Sequence, residues 1–174
     1  MCVQPTGCQT NYFADDSTNR CVALCPHSEF TFGEASSRRC VKSCQEGFYA
    51  DPTTRLCSST CNASAQLYAD PSTKTCVQTC PSTPNLYGNP LNRICQDSCT
   101  GNYFAFDRDR ICVSICPSTP EMIGDLNTYR CVETCPRETY KFVNNTYRAC
   151  VTSCPPRIYS ASNIVDLYAD NSTW

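Results

Sequence analysis

The chain has 174 residues, and 18 of them are cysteine. Cysteine at about a tenth of a short sequence is typical of a disulfide scaffold, and 29 Leu, Ile, Val and Phe residues are too few for an ordinary core. The net charge of −2 gives neither the basic surface of a nucleic-acid-binding protein nor an acidic tail. No apolar run of about 20 residues is present, so we expect no membrane span in this segment.

The cysteines form a repeat along the chain. After a looser pair, Cys2 and Cys8, they occur in pairs separated by three residues, and loops of 12 or 14 residues join successive pairs up to Cys150. This spacing indicates one small unit in tandem, not one globular domain. We predict a single array over residues 1–174, with a partial unit from Cys154. Its complete units are residues 8–21, 25–40, 44–57, 61–76, 80–95, 99–112, 116–131 and 135–150.

Both ends of the sequence resemble the interior of a unit. Leu167–Trp174 matches Leu67–Lys74, which ends two residues before a cysteine, and Cys2-Val3 already resembles the middle of a unit. We therefore expect the chain to be a window, truncated at both ends, from a longer array.

Each loop has the same internal pattern, counted back from the cysteine that closes it. An aromatic residue stands eight positions before that cysteine in seven of the eight units: Phe13, Phe32, Tyr49, Tyr68, Tyr87, Phe104 and Phe142, with Ile123 in the remaining unit. A small residue usually follows, then an Asp, Asn or Glu, and a basic residue usually stands two positions before the cysteine. The pattern predicts a short β-hairpin whose return strand begins at the cysteine.

We use the word column for one position of the repeat, taken across all units. The column that carries Asp, Asn or Glu, here called the acidic column, has two interpretations. Calcium takes 6–8 oxygen ligands, and one such side chain per unit falls far short of that number. We therefore expect these side chains to cap the hairpin turns through local backbone hydrogen bonds. We likewise expect the aromatic column to pack on a disulfide or on the neighbouring unit, with ligand binding as the minor alternative.

The two loop lengths differ by two residues. If the first arm of each loop is extended, two extra residues leave its cysteine on the same face of the strand. We therefore expect the first arm to be a strand.

Three disulfide schemes fit the cysteine spacing. A bond within a pair is opposed by strand geometry, because residues four apart in a strand are ~13 Å apart. A staggered scheme over two units predicts alternating loop lengths, which the chain lacks. We favour closure of each hairpin, although spacing alone leaves the connectivity open. That scheme gives Cys8–Cys21, Cys25–Cys40, Cys44–Cys57, Cys61–Cys76, Cys80–Cys95, Cys99–Cys112, Cys116–Cys131 and Cys135–Cys150, and leaves Cys2 and Cys154 to partners outside the segment.

Metal binding and catalysis are the chemical alternatives. Cys21, Cys25, Cys40 and Cys44 have the spacing of a four-thiolate zinc site. His27 is the only histidine, and no distinguished nucleophile accompanies it. An enzyme needs one unique constellation, whereas this chain repeats the same one eight times. We expect no catalytic residue, no bound metal and no cofactor apart from covalent glycans.

Glycosylation signals occur in the predicted loops. Sequons place N-linked candidates at Asn62, Asn144 and Asn171. Two equivalent Pro-Ser-Thr-Pro segments give O-linked candidates at Ser82, Thr83, Ser118 and Thr119, because Pro with Ser or Thr is typical of O-glycosylated stalks. The alternative for these segments is an extended connector shaped by proline alone.

The run Cys-Val-x-x-Cys-Pro, followed by Tyr-Ala-Asp and Cys-Val, resembles the cysteine-rich repeats of protist surface proteins, especially those of ciliates. It is more distantly similar to furin-like and growth-factor-receptor cysteine-rich repeats, and to the cysteine-rich glycoproteins of flagellar hairs (mastigonemes). The resemblance implies an extracellular, glycosylated, elongated module without an active site.

We therefore predict small disulfide-rich repeats, an elongated rod or solenoid of short β-hairpins with little helix. The leading function is a structural segment of an extracellular or cell-surface glycoprotein, a subunit of a fibre or surface hair. Its expected partners are further copies of itself or other cell-surface glycoproteins, and nucleic acid is not among them.

Two alternatives remain. One is a rod-like receptor, adhesin or surface-antigen ectodomain, which would need an exposed aromatic patch in one unit; Tyr103–Phe106 is the candidate. The other is an intracellular zinc-repeat protein with four-cysteine sites, which a chelator would unfold.

Overall fold

A computed structural model describes residues 8–137, 139–143 and 148–152. Over these residues the regular elements are sixteen short strands, and none is a helix. The strands are β1 (Phe13–Asp15), β2 (Arg20–Val22), β3 (Phe32–Glu34), β4 (Arg39–Val41), β5 (Tyr49–Asp51), β6 (Leu56–Ser58), β7 (Tyr68–Asp70), β8 (Thr75–Val77), β9 (Tyr87–Gly88), β10 (Cys95–Gln96), β11 (Phe104–Phe106), β12 (Ile111–Val113), β13 (Ile123–Asp125), β14 (Arg130–Val132), β15 (Tyr140–Val143) and β16 (Arg148–Val151). The predicted fold class, small disulfide-rich repeats made of hairpins, is confirmed.

The predicted units are here called hairpins 1 to 8 in chain order. In hairpin 1, β1 pairs antiparallel with β2, with Phe13 opposite Val22 and Ala14 opposite Cys21. The same register recurs in hairpins 2, 3, 4, 6 and 7. The return strand therefore begins one residue before the closing cysteine, not at the cysteine itself.

Successive hairpins are joined by parallel pairing between the first strand of one and the return strand of the next. The N–H of Ala14 donates to Arg38 O (2.8 Å), that of Gly33 to Arg55 O (2.9 Å) and that of Ala50 to Lys74 O (2.8 Å). The accepting carbonyls all belong to the residue two positions before the closing cysteine. Each hairpin therefore uses the next one to complete its backbone hydrogen bonding.

The chain divides into two compact units. The first contains Gly88–Cys95 and the residues up to Pro84, and the second contains Asn85–Tyr87 and the residues from Gln96 onward. The sheet of the first unit has the strand order β2-β1-β4-β3-β6-β5-β8-β7. In the second unit the order is β12-β11-β14-β13-β16-β15.

The core is a series of small clusters in which the aromatic ring of one hairpin packs on the disulfide of the next. Tyr49 packs on a cluster that contains Cys61 and Cys76, and Phe104 lies in one cluster with Cys116 and Cys131. Tyr87, which is fully buried, lies with Cys99 and Cys112, and Phe32 packs on Cys44 and Cys57. The expectation that the aromatic column packs on a disulfide or a neighbouring unit is confirmed for these rings.

The small column follows from the same packing. A Cβ built on Gly33 would lie 2.6 Å from the Phe13 ring, and Cβ atoms on Gly88 and Gly124 would lie equally close to the rings of Tyr68 and Phe104. In each case the ring belongs to the preceding hairpin. A methyl group at these positions would therefore require the neighbouring ring to move.

The expectation of an extended first arm is wrong. In the 14-residue loop of hairpin 2, Phe30 N–H donates to His27 O (3.0 Å) and Thr31 N–H to Pro26 O (3.5 Å). Phe30 has a φ of 50°, so the segment is a single turn that closes like a helix C-terminus in a Schellman motif. Proline after the opening cysteine suits this turn because its φ is already fixed near the helical value.

The 12-residue loops use a tighter turn at the same place. In hairpin 3, Phe48 N–H donates to Gln45 O (3.1 Å) across Gly47, whose φ is 78°. Hairpin 1 has the equivalent turn with Asn11 at a φ of 68°. The two-residue difference between these loops therefore lies in the size of a turn, not in the length of a strand.

Hairpin 8 departs from the predicted alignment. Tyr140 pairs with Val151 and Lys141 with Cys150, while Phe142 lies opposite Ala149. Tyr140 therefore holds the backbone position of the aromatic column, and Phe142, which the count from the closing cysteine predicts there, is two residues further along. The two extra residues of this 14-residue loop therefore lie within the hairpin, one in each strand, because β15 and β16 have four residues each where most strands have three.

The packing predicts that Gly124→Ala destabilises the protein by about 1–3 kcal/mol, because the new methyl group meets the Phe104 ring. Chemical unfolding under non-reducing conditions would measure the loss. In a Phe104→Ala background the same substitution should cost much less, since the opposing ring is gone. Equal costs in the two backgrounds would contradict the contact.

Candidate functional site

The disulfides are the most regular feature of the described chain. Each joins the second cysteine of one pair to the first cysteine of the next, which is the hairpin-closing scheme. The Cα atoms of each bonded pair are 5.5–5.7 Å apart, within the ordinary range for a cystine. The bonds are Cys8–Cys21, Cys25–Cys40, Cys44–Cys57, Cys61–Cys76, Cys80–Cys95, Cys99–Cys112, Cys116–Cys131 and Cys135–Cys150. Cys2 and Cys154 lie outside the described residues.

This connectivity bears on the rival schemes. Cys21, Cys25, Cys40 and Cys44 are each in a different disulfide, so they offer no thiolate to a four-cysteine zinc site. Elsewhere in the described ranges, no cluster of three or more His, Cys, Asp or Glu is placed to hold a metal ion. Bonds within a pair and staggered bonds are not formed between Cys8 and Cys150.

The basic residues two positions before the closing cysteines, here called the basic column, connect neighbouring hairpins. The sequence pattern did not predict this role. The Arg55 guanidinium lies 4.5 Å from the ring centroid of Phe32 and donates from Nη2 to Pro26 O (3.0 Å). Phe32 and Pro26 both belong to the preceding hairpin. The aromatic ring of one hairpin thus has a cystine of the next hairpin in its cluster and a cation of that hairpin above it.

The same arrangement recurs in hairpin 5. The Arg93 guanidinium lies 4.4 Å from the Tyr68 ring centroid, and Arg93 Nε donates to Leu67 O (3.1 Å). Arg93 has a φ of 60°, and the residues two before the closing cysteine in hairpins 1 to 7 all share this left-handed backbone. The sequence contained a signal for this contact between hairpins, because basic and aromatic residues recur together at fixed positions in most units.

The acidic column caps the turns, as predicted. Asp70 is 1% exposed, and its Oδ1 accepts hydrogen bonds from the N–H (2.9 Å) and hydroxyl (2.7 Å) of Ser72. Its Oδ2 accepts the Thr73 hydroxyl (2.7 Å). Asp15, Asp51 and Asp125 make equivalent bonds. Each carboxylate is therefore occupied by its own turn.

These bonds shift the carboxyl pKa. Desolvation raises the pKa of Asp70, but the hydrogen bonds from Ser72 and Thr73 outweigh it, and the net pKa lies below the ordinary 3.8. The hydrogen bond from Thr18 is the largest influence on Asp15 and likewise lowers its pKa. Both turns therefore favour the ionised carboxylate.

Hairpin 6 is the exception in the acidic column, because Phe106 occupies that position. Phe104 and Phe106 are only 2% and 5% exposed, and both pack with the cystine of hairpin 7. The exposed aromatic patch proposed for Tyr103–Phe106 is therefore not formed. A second phenylalanine at this position is stable because it faces the core instead of solvent.

The carboxylate of hairpin 6 lies one residue later, at Asp107, where it bonds to residues of the neighbouring hairpins. Tyr87 donates its hydroxyl to Asp107, and Arg130 Nη2 donates to both Asp107 oxygens (2.6 and 2.7 Å). Desolvation raises the pKa of Asp107, but the bonds from Tyr87 and Arg130 bring it below its ordinary value. This network ties residues of hairpins 5, 6 and 7 together within the second unit.

The glycosylation candidates differ in exposure. Ser82, Thr83, Ser118 and Thr119 are all exposed and lie in turns, not in extended connectors. Asn62 is half-buried, and its Oδ1 accepts the Ser64 N–H (3.0 Å), so its sequon lies in an Asx turn. Asn62 also lines an open cleft of about 540 Å³ in the first unit. Asn144 and Asn171 lie outside the described residues.

No protein-family model, curated protein or solved structure matches the chain. Eight disulfides in a chain of this length indicate a secreted or surface protein that folds in an oxidising compartment. Over the described ranges, no helix has the length and hydrophobicity that a membrane crossing requires.

We predict that Arg93→Gln lowers the free energy of unfolding by about 1–3 kcal/mol, because it removes a charged donor and the cation over Tyr68. Urea unfolding of the oxidised protein would measure this loss. Arg20→Gln is the matched control, since Arg20 is exposed on the return strand of hairpin 1 and should have little effect. An equal loss in both variants would contradict a specific role for Arg93.

The lowered pKa values predict a loss of stability in acid. A carboxylate whose folded pKa is depressed stabilises the fold fully well above 3.8, and this contribution disappears as pH falls through 3.8 towards the folded pKa. Urea midpoints between pH 6 and pH 2 would show the decline. Asp70→Asn should be less stable at pH 6 and lose less on acidification, and an unchanged pH dependence would contradict the assignment.

Proposed function

We propose that the chain is a non-enzymatic structural segment of an extracellular or cell-surface glycoprotein that assembles into a fibre or surface hair. The observation that carries the proposal is the dependence of each hairpin on the next. The ring of one hairpin is covered by the cystine and the cation of its neighbour, as Phe32 is by the Cys44–Cys57 disulfide and Arg55. A unit that packs mainly on its neighbour can be repeated along a chain without a central hydrophobic core.

The distribution of charge and chemistry supports the same proposal. The acidic column is used in turn caps and the basic column in contacts between hairpins, as Asp70 and Arg93 illustrate. The sequence repeats these groups in most units and does not concentrate them at one place. This is the pattern of a scaffold, in contrast to the single constellation of an active site.

Covalent glycans are part of the proposal. The O-linked candidates Ser82, Thr83, Ser118 and Thr119 are exposed residues, and the Asn62 sequon lies at an open cleft. Glycans at such sites would shield the short strands from proteases and from lateral association. The receptor or adhesin alternative has lost its discriminating feature, because Phe104 and Phe106 are buried.

The test uses the protein purified from its natural source without reductant. Electron microscopy and sedimentation velocity should show filaments or concentration-dependent association, and intact-mass analysis should show glycan and no thiol that reacts before reduction. The same preparation, reduced and alkylated, is the control and should not associate. Monomers at all concentrations would contradict the fibre role, and an unglycosylated protein would contradict the glycoprotein assignment.

A further inference from the structure

A column of hydroxyl groups stands directly before the opening cysteines. The residue at this place is Ser or Thr before five of the seven opening cysteines from Cys25 to Cys135. All five side chains are exposed: Ser43, Thr60, Thr79, Ser98 and Thr134. The two exceptions, Leu24 and Ile115, are exposed as well. Ser153 continues the pattern but lies outside the described residues.

Exposure alone does not explain this column. The residue one position earlier is also exposed in all seven linkers, and there the chain carries Ala23, Lys42, Ser59, Gln78, Asp97, Ser114 and Glu133. That neighbouring column tolerates small, basic, acidic and amide side chains. The repeats have therefore diverged freely at one exposed position while keeping mostly a hydroxyl at the next, which indicates a requirement other than packing or solubility.

Hydrogen bonding within the fold does not explain the column either. Several exposed hydroxyls in the hairpin turns form side-chain hydrogen bonds, as Thr73 does with Asp70 and Ser37 with Glu34. In the column, Ser98 donates to the adjacent Asp97, while the side-chain hydroxyls of the other four form no hydrogen bond within the described part of the chain. These four hydroxyls therefore belong to exposed residues and make no hydrogen bond that would explain their presence.

We propose that this column is a series of O-glycosylation sites, one in each linker that carries the hydroxyl, specified by Ser or Thr in the sequence Cys-x-x-Ser/Thr-Cys. The inference rests on the proposed glycoprotein function and adds sites separate from Ser82, Thr83, Ser118 and Thr119. Those four lie in proline-flanked turns, whereas a column residue such as Thr79 lies between the cystines of two hairpins. The fold therefore presents each column hydroxyl in the same local setting.

The reaction is an ordinary glycosyl transfer. The side-chain oxygen attacks the anomeric carbon of a sugar carried by a nucleoside diphosphate, and a glycosidic C–O bond forms. The bond from that carbon to the diphosphate oxygen breaks, and the nucleoside diphosphate leaves. The hydroxyl proton passes to a base of the transferase. The protein contributes an exposed acceptor that needs no rearrangement.

The first test maps sugars on the naturally sourced protein by electron-transfer fragmentation of its peptides. We expect sugar on Ser43, Thr60, Thr79, Ser98 and Thr134 and none on Ser59 or Ser114, the exposed serines one position earlier. Sugar found solely at Asn62 or in the Pro-Ser-Thr-Pro turns would overturn this inference and leave the glycoprotein proposal standing. A protein without any sugar would overturn both.

Two variants expressed in the source cells test the position directly. Ile115→Thr supplies the missing hydroxyl in hairpin 7's column position and should gain one sugar there. The double variant Gln78→Thr with Thr79→Gln keeps the composition but moves the hydroxyl one residue away from Cys80, and it should lose the sugar of that linker. Sugar that follows the hydroxyl to position 78, or no gain at position 115, would contradict a site defined by the cysteine.

Discussion

The contact between the aromatic ring of one hairpin and the disulfide of the next is the interaction on which the rest of the structure depends. Strands of two to four residues cannot form a stable hairpin alone. The disulfide closes the loop and limits the unfolded ensemble, and it also supplies a buried surface for the neighbouring ring. Tyr87 is fully buried by this means, although the chain has few large aliphatic residues.

The same contact explains the other columns of the repeat. A ring held against the next hairpin leaves no room for a Cβ at Gly33, Gly88 or Gly124. Its outer face is open to a cation, and the left-handed turn residue supplies one in Arg55 and Arg93 while its carbonyl accepts the N–H of the preceding hairpin. Size, charge and backbone conformation at three positions therefore serve a single interface.

Much of the fold and of the contacts between hairpins could be predicted from the sequence, because the repeat shows several examples of the residue preferred at each position. The hairpin, the Asp caps and the packing of the rings follow from residue type and spacing, and the structure has the cysteine pairing that spacing favoured. The compact turn around Phe30 could not be predicted, since two extra residues suit a longer strand as well as a larger turn. In hairpin 8 the count fails because the loop length between two cysteines does not show whether the extra residues enlarge the first turn or lengthen the two strands.

The disulfide connectivity also fixes how far the chain can be drawn out under tension. Three loops of 12 residues and five of 14, together 106 residues, lie inside closed rings. A pulling force therefore passes through a cystine, with 5.6 Å between Cα atoms in hairpin 1, and then through a three-residue linker of ~14 Å at full stretch. Two strands of a folded sheet occupy ~10 Å, so a stretched hairpin lengthens only about twofold while its loop remains slack. Greater extension requires a reductant to open the disulfides. The redox state of the surroundings therefore determines how far the chain can be stretched.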